Sequence, residues 1–208
     1  LGATAIGVPV SEVGKHFPNE TRTIATGLVT AAASVGYFLS PLFTQYSLGE
    51  VGWVQTLKYF MFFIGFGLIA SLFLLPAKTI IQSSKADRDQ TFVSAIKEAF
   101  SHKGYLFLMA GFFVCGFQIT LVATHVPNYI IQRGLESWTG AAILSLIGLF
   151  NIFGTLTMGF LGDKYSKKFL LSGLYFFRGI ILILFLFLPA SSFTAIGFGI
   201  GFGFLWLA

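Results

Sequence analysis

The sequence predicts an all-α integral membrane protein, a helical bundle with five complete spans and two truncated ones. Three observations predict it. Of the 208 residues 55% are apolar and only 10% charged, with 26 Phe and 24 Gly. Soluble domains carry about 25% charged residues, and a chain this apolar lacks the polar groups to coat a water-facing exterior. The few charges are also clustered. No residue is charged between Arg22 and Glu50, Lys58 and Lys78, Lys103 and Arg133, or Glu136 and Asp163. A bilayer-crossing helix needs about 20 mostly apolar residues. Finally, the runs do not alternate as barrel strands would. Residues 180–188 are apolar on every face, and a helix pairs its own backbone within one segment.

The elements follow in order. Residues 1–14 read as the end of an earlier span. Complete spans are expected at about 23–48, 58–77, 104–131, 139–162 and 169–189, and a last run, 193–208, begins after the break at Pro189. Between the second and third spans lies loop 77–103, polar at first and then periodic. Phe92, Ile96 and Phe100 recur every four residues, with Lys97 and Glu98 between them. This is the apolar stripe of a short amphipathic helix, capped by Asp89 or Thr91 and suited to the membrane interface. A regulatory partner site is the alternative. The loop divides the chain into 1–77, 78–103 and 104–208.

Orientation follows from Lys and Arg. Loops 14–22, 77–103 and 163–168 hold ten basic residues, against Lys58 and Arg133 in the opposite set. The basic set is therefore expected in the cytoplasm. This accounts for the net charge of +5 without nucleic acid. The single cysteine, Cys115, excludes an intrachain disulfide.

The strongest motif closes the span 139–162 with Gly159, Leu161, Asp163, Lys164, Lys167 and Lys168. A small residue, an acid and several bases in that order make a tight cytoplasmic turn. It resembles the G-x-L-x-D-[RK]-x-G-[RK]-[RK] loop of the major facilitator superfamily, with Ser166 where the pattern has Gly. In that superfamily the loop follows the second and eighth of twelve spans. The resemblance thus implies a fragment running from the fourth span into the tenth of a twelve-span, two-bundle architecture. Gly27, Gly36, Ser40 and Pro41 are similar to a fifth-span motif of antiporters in the superfamily. In physical terms they are small residues for close helix approach and a proline that bends the span. The stretch from Gly111 to Gln118 and on to Tyr129 resembles the seventh span of bacterial monocarboxylate porters and oxalate/formate exchangers. That branch implies a bacterial cytoplasmic (inner) membrane and a small organic anion as substrate.

Polar groups inside spans are costly and are candidate site residues. Gln118 and His125 are seven apart, nearly on one helix face, and Asn128 follows one turn later. This stripe is expected to line a cavity, with His125 able to carry a coupling proton near neutral pH, or else to bond neighbouring helices. Asn151 lies roughly 18 Å along its helix from Asp163, near mid-membrane, where cavity lining and interhelical bonding compete. Thr155 and Thr157 can bond their own backbone. Arg178 is also near the midplane and needs a carboxylate, backbone carbonyls or an anionic substrate.

No nucleotide loop, metal-binding H-E-x-x-H or paired intramembrane carboxylate is present in the sequence, so neither enzyme chemistry nor a cofactor is expected. The reading is a secondary transporter moving a small solute by alternating access, the first guess being an organic anion such as a monocarboxylate. Proton-coupled drug efflux is the alternative within transport. A non-transporting membrane scaffold or sensor is the alternative outside it.

Overall fold

Long uncharged runs with few helix breakers give long helices. The computed structural model describes residues 19–73 and 91–206, with Val10, Val13 and Phe17 as isolated positions. The expected span 1–14 apart from Val10 and Val13, part of loop 14–22, the end of the span 58–77 and the polar part of loop 77–103 lie outside the described residues, Asp89 included. Among the described residues six helices follow in order: α1 (Asn19–Phe73), α2 (Phe92–Ser101), α3 (Lys103–Gln132), α4 (Ser137–Lys164), α5 (Lys167–Phe187) and α6 (Ser192–Phe204).

The break expected between the spans 23–48 and 58–77 is not a loop. Helix α1 runs through Pro41 and is interrupted only at Gly52 (φ 73°, ψ 174°), a conformation that is essentially glycine's alone. The stretch has no proline and just two charges, Glu50 and Lys58, so little opposes helix on either side of that residue. The apolar part of α1, Ala25–Ile69, is 45 residues long, about twice the roughly 20 residues that one crossing needs. Two expected spans therefore appear as two helical segments joined at one glycine. Helices α3, α4 and α5 are each long and apolar enough to cross a membrane.

From α2 onward the connections are short. Helix α3 ends on Gly134 (φ 81°), with the Gly134 N–H on the Ile131 carbonyl and the Leu135 N–H on that of Ile130. Paired bonds of this kind satisfy the last carbonyls around a left-handed glycine. Helix α6 starts with a reciprocal cap between Ser191 and Thr194, just past the break expected at Pro189. Helix α2 takes Thr91 as its N-cap, the hydroxyl accepting from the Ser94 N–H. The expected loop 163–168 shrinks to Tyr165 and Ser166. Asp163 and Lys164 belong to the end of α4, and Lys167 and Lys168 to the start of α5.

The chain forms two compact units, Leu1–Gly52 with Ala123–Ala208, and Trp53–Val122. In the first, α4 is central. Helix α6 packs along it through two of its glycines. A Cβ on Gly199 would meet Ile143, and one on Gly203 would come within 2.7 Å of the Ile147 backbone. Aromatic rings then link four helices in series. Tyr129 meets Phe185, Phe185 stacks on Phe198 at 4.1 Å, and Phe198 on Phe202; Phe202 meets Trp206, which meets Tyr37. The second unit holds the later part of α1, helix α2 and α3 as far as Val122.

Candidate functional site

Helix α4 places a stripe of small and polar residues toward the first part of α1. Ala141, Ser145, Gly148 and Thr155 recur at helical spacing, and the first three are buried. A Cβ on Gly148 would stand 2.5 Å from the Phe38 nitrogen and 2.7 Å from the Tyr37 carbonyl carbon, so the two backbones touch there. One turn along, Asn151 is 1% exposed. Its Nδ2 donates to the Ser34 hydroxyl at 2.8 Å. That hydroxyl in turn donates to the Thr30 carbonyl at 3.0 Å, and Thr155 reaches the Asn151 carbonyl oxygen at 3.5 Å. Of the two roles open to Asn151, the geometry gives it interhelical bonding. Thr157 bonds its own backbone at Phe153, as expected.

At the other end of this seam Gln45 Nε2 donates to the Ser137 hydroxyl at 2.9 Å. Beside that bond is a cavity of about 300 Å³, lined among others by Ser40, Thr44, Gln45, Pro127, Ile131 and Ser137. Every lining residue is uncharged. Ser40 and Pro41 line it, whereas Gly27 and Gly36 have nothing within 4 Å of an added Cβ. The close approach expected of that motif is made by Gly148 of the facing helix.

Of the expected stripe on α3, His125 and Asn128 do not line this cavity. Gln118 is half-buried and has a contact partner of its own. His125 and Asn128 are exposed along the same helix, and α3 contributes Pro127 and Ile131 to the cavity in their stead. Arg178 is 4% exposed. One of its η nitrogens donates to the carbonyls of Leu205 and Trp206, at 2.7 Å for the latter, and its Cζ lies 5.3 Å from the centroid of the Tyr175 ring. The charge is thus held by backbone carbonyls where α6 ends, the second of the three partners it could take.

In the loop motif, Ser166 is the N-cap of α5 with φ −61° and ψ 120°. Any residue adopts these angles, so the departure from glycine costs nothing here. Lys164 stands over the Phe160 ring at 4.3 Å. The side chains of Asp163 and Lys167 lie outside the described residues; Gly159 and Lys168 have the places the motif gives them, late in α4 and early in α5.

Sequence reasoning misses Ser34, Gln45, Ser137 and Gly148. A signal exists for two of them. Ser34 follows Thr30 by one turn in a run of alanines, and Gly148 belongs to the small-residue stripe on α4. For the Ser34–Asn151 bond we expect Ser34→Ala and Asn151→Ala to lose less together than the sum of their separate losses. The coupling should be about 0.6 kcal/mol and below about 1.7. Thermal unfolding of the four proteins of the cycle in mixed micelles would measure it, and strict additivity would mean that the bond carries nothing.

Comparison with known proteins fits this picture. The chain is 23% identical over 197 residues to the MFS transporter asaE of Aspergillus flavus, with 92% of the chain and 42% of that protein aligned. It is 20% identical over 183 residues to the agnestins efflux protein AgnL12 of Paecilomyces divaricatus, covering 87% and 40%. It spans about two fifths of the length of these curated relatives. Both are fungal and lend no support to the bacterial inner membrane expected from the sequence. No solved structure matches the chain significantly. The Major Facilitator Superfamily profile matches residues 2–208, and the chain belongs to that family of integral membrane transporters.

Proposed function

We propose that the protein containing this chain moves a small organic solute across the membrane by alternating access, without bond chemistry. The observation that carries the reading is the seam between α1 and α4. In the superfamily register α1 begins in the first bundle and α4 is in the second, so this seam would join the halves that rock about a midplane site. A rocking seam needs close backbone contact and a partner for its buried amide, although the buried Tyr37 and Ser145 hydroxyls beside it have no hydrogen-bond partner among the described residues. Gly148 against Tyr37 and Phe38 supplies the first, and the Asn151–Ser34 bond leaves neither of those side chains unpaired.

Helix directions in the first unit support the expected topology. Ser34 meets Asn151 and Gln45 meets Ser137, so α1 runs antiparallel to α4. This puts Arg22 and the Lys-rich turn at Lys164 on one side of the unit, which by the positive-inside rule would face the cytoplasm. The bundles would divide as 1–77 and 104–208, joined by 78–103.

For the substrate, the branch resemblance favours a small organic anion such as a monocarboxylate. A second reading, proton-coupled efflux of an uncharged or cationic compound, is favoured by the uncharged cavity lining and by Arg178 being engaged with carbonyls. One relative is called an efflux protein. His125 is the one titratable imidazole within the expected spans. The test is flux in vesicles reconstituted with the full-length protein, using labelled monocarboxylates and a fluorescent cationic drug under imposed pH gradients. Saturable flux of either probe supports transport and selects the substrate reading. His125→Gln should flatten the pH profile at retained expression. Flux at the level of empty vesicles for every probe would favour a scaffold or sensor.

A further inference from the structure

We propose that the Tyr37 and Ser145 hydroxyls act as a counterweight in the α1–α4 seam, raising the free energy of its closed form so that the two helices can part. This rests on the reading of that seam as the one that rocks. The polar groups on either side of the two hydroxyls are paired. Asn151 donates to Ser34, and Ser34 to the Thr30 carbonyl. Gln45 donates to Ser137, and Thr44 to the Ser40 carbonyl. The Tyr37 and Ser145 hydroxyl oxygens are buried with no hydrogen-bond partner among the described residues, and Ser145 is 2% exposed. A serine or threonine in a helix has a ready local partner in the carbonyl four residues back. Thr30, Ser34, Thr44, Thr157 and Ser172 all take it. Ser145 does not.

Both residues belong to the closest part of the seam. Ser145 shares the α4 stripe with Ala141 and Gly148, and a Cβ on Gly148 would stand 2.7 Å from the Tyr37 carbonyl carbon. The Tyr37 ring reaches on to Trp206, 5.6 Å away between centroids. A hydroxyl buried without a partner forfeits its bonds to water and gets nothing in return. That loss belongs to the closed seam, because parting the helices lets water reach both oxygens. The backbone contact at Gly148 and the bonds at Asn151 and Gln45 act the other way and hold the seam shut. The two hydroxyls offset that hold. A two-state element answers such a term by shifting its populations, and an orphaned hydroxyl of ordinary cost moves the closed-to-open ratio at least about fivefold. The sign of the effect is diagnostic. Tyr37→Phe keeps the ring on Trp206 and Ser145→Ala keeps the small residue, so each loses only the oxygen. Loss of a bonded hydroxyl destabilises the closed seam, and loss of an orphaned one stabilises it.

The test uses the full-length protein in vesicles, in a Cys115→Ser background carrying Ala141→Cys. Ala141 is 8% exposed on the same α4 stripe, so the introduced thiol reacts with a water-soluble methanethiosulfonate at a rate set by how often the seam parts. Tyr37→Phe and Ser145→Ala should each slow this labelling at least about fivefold, raise the unfolding temperature and lower the maximal flux. The double variant should exceed either. Gly148→Ala, which parts the helices sterically, should speed the labelling. Faster labelling and a lower unfolding temperature in the hydroxyl variants would mean that both oxygens are bonded in the closed seam. Unchanged labelling in those variants would mean that they carry no penalty there, as a buried water would arrange. Either result, with Gly148→Ala still speeding the reaction, overturns the counterweight and leaves the rocking seam standing. Labelling indifferent to all three substitutions would show that the seam does not part, and would overturn both.

Discussion

Gly148→Leu is expected to abolish transport and sharply lower thermal stability, the largest effect of any single substitution in the seam. The glycine Cα lies on the backbone of Tyr37 and Phe38, and a Cβ added to it would stand 2.5 Å from the Phe38 nitrogen. Backbone cannot step aside as a side chain can. Even Gly148→Ala requires the helices to part, and overpacking of this kind costs about 1–3 kcal/mol. A leucine would force them further apart and break the Asn151–Ser34 bond one turn away. Gly36→Ala is the control. It lies on the facing helix in the fifth-span motif but has open space around it, so it should be neutral or slightly stabilising through reduced backbone entropy. Scanning fluorimetry of the purified proteins and flux at matched expression would compare them. If Gly36→Ala were the damaging change and Gly148→Ala harmless, the seam would be wrongly placed.

Arg178→Met and Arg178→Lys give the second large effect, and the order between them is diagnostic. Methionine removes the donor from the Leu205 and Trp206 carbonyls, and each carbonyl left unpaired in an apolar setting costs about 1–3 kcal/mol. Lysine is shorter, so its ammonium falls short of the point from which one η nitrogen of Arg178 serves both carbonyls. It nevertheless keeps a charge buried, and an ill-compensated buried charge carries a desolvation penalty of several kcal/mol. The structural role therefore predicts that lysine is tolerated no better than methionine. An anion-binding role predicts the opposite, with lysine retaining part of the flux and methionine none. Thermal unfolding alongside the half-saturating substrate concentration separates the two. An unchanged melting temperature with a raised half-saturating concentration in both variants would move Arg178 into the substrate site.

Much of the fold is legible because lipid imposes a simple rule: long uncharged runs must become helices. Most span limits and the α2 helix come from that rule and from helical spacing. The loop expected at 49–58 fails because two charges do not make a boundary. A helix tolerates Glu50 and Lys58 and yields only at Gly52. The site is less legible. Polarity marks Asn151 and Arg178 as unusual, but it cannot say which atoms meet them. Ser34 and the Leu205 and Trp206 carbonyls are 117, 27 and 28 residues away along the chain. No local pattern encodes such pairings. His125 shows the same limit in reverse, since helical spacing gives its direction but not what lies beside it.

The turn between α4 and α5 has a mechanical consequence. Tyr165 and Ser166 are the whole connection, and both are tied down: the Tyr165 N–H bonds to the Leu161 carbonyl, and the Ser166 carbonyl accepts from Phe169 and Leu170. Two extended residues reach only about 7 Å, so the joint has no slack to take up. A tilt of α4 about the seam must drag the start of α5 with it, as one link pulls the next in a taut chain. In the proposed orientation Lys164 and Lys168, on either side of this joint, would act as its bearings in the headgroup layer, letting the pair pivot while resisting withdrawal into the oil.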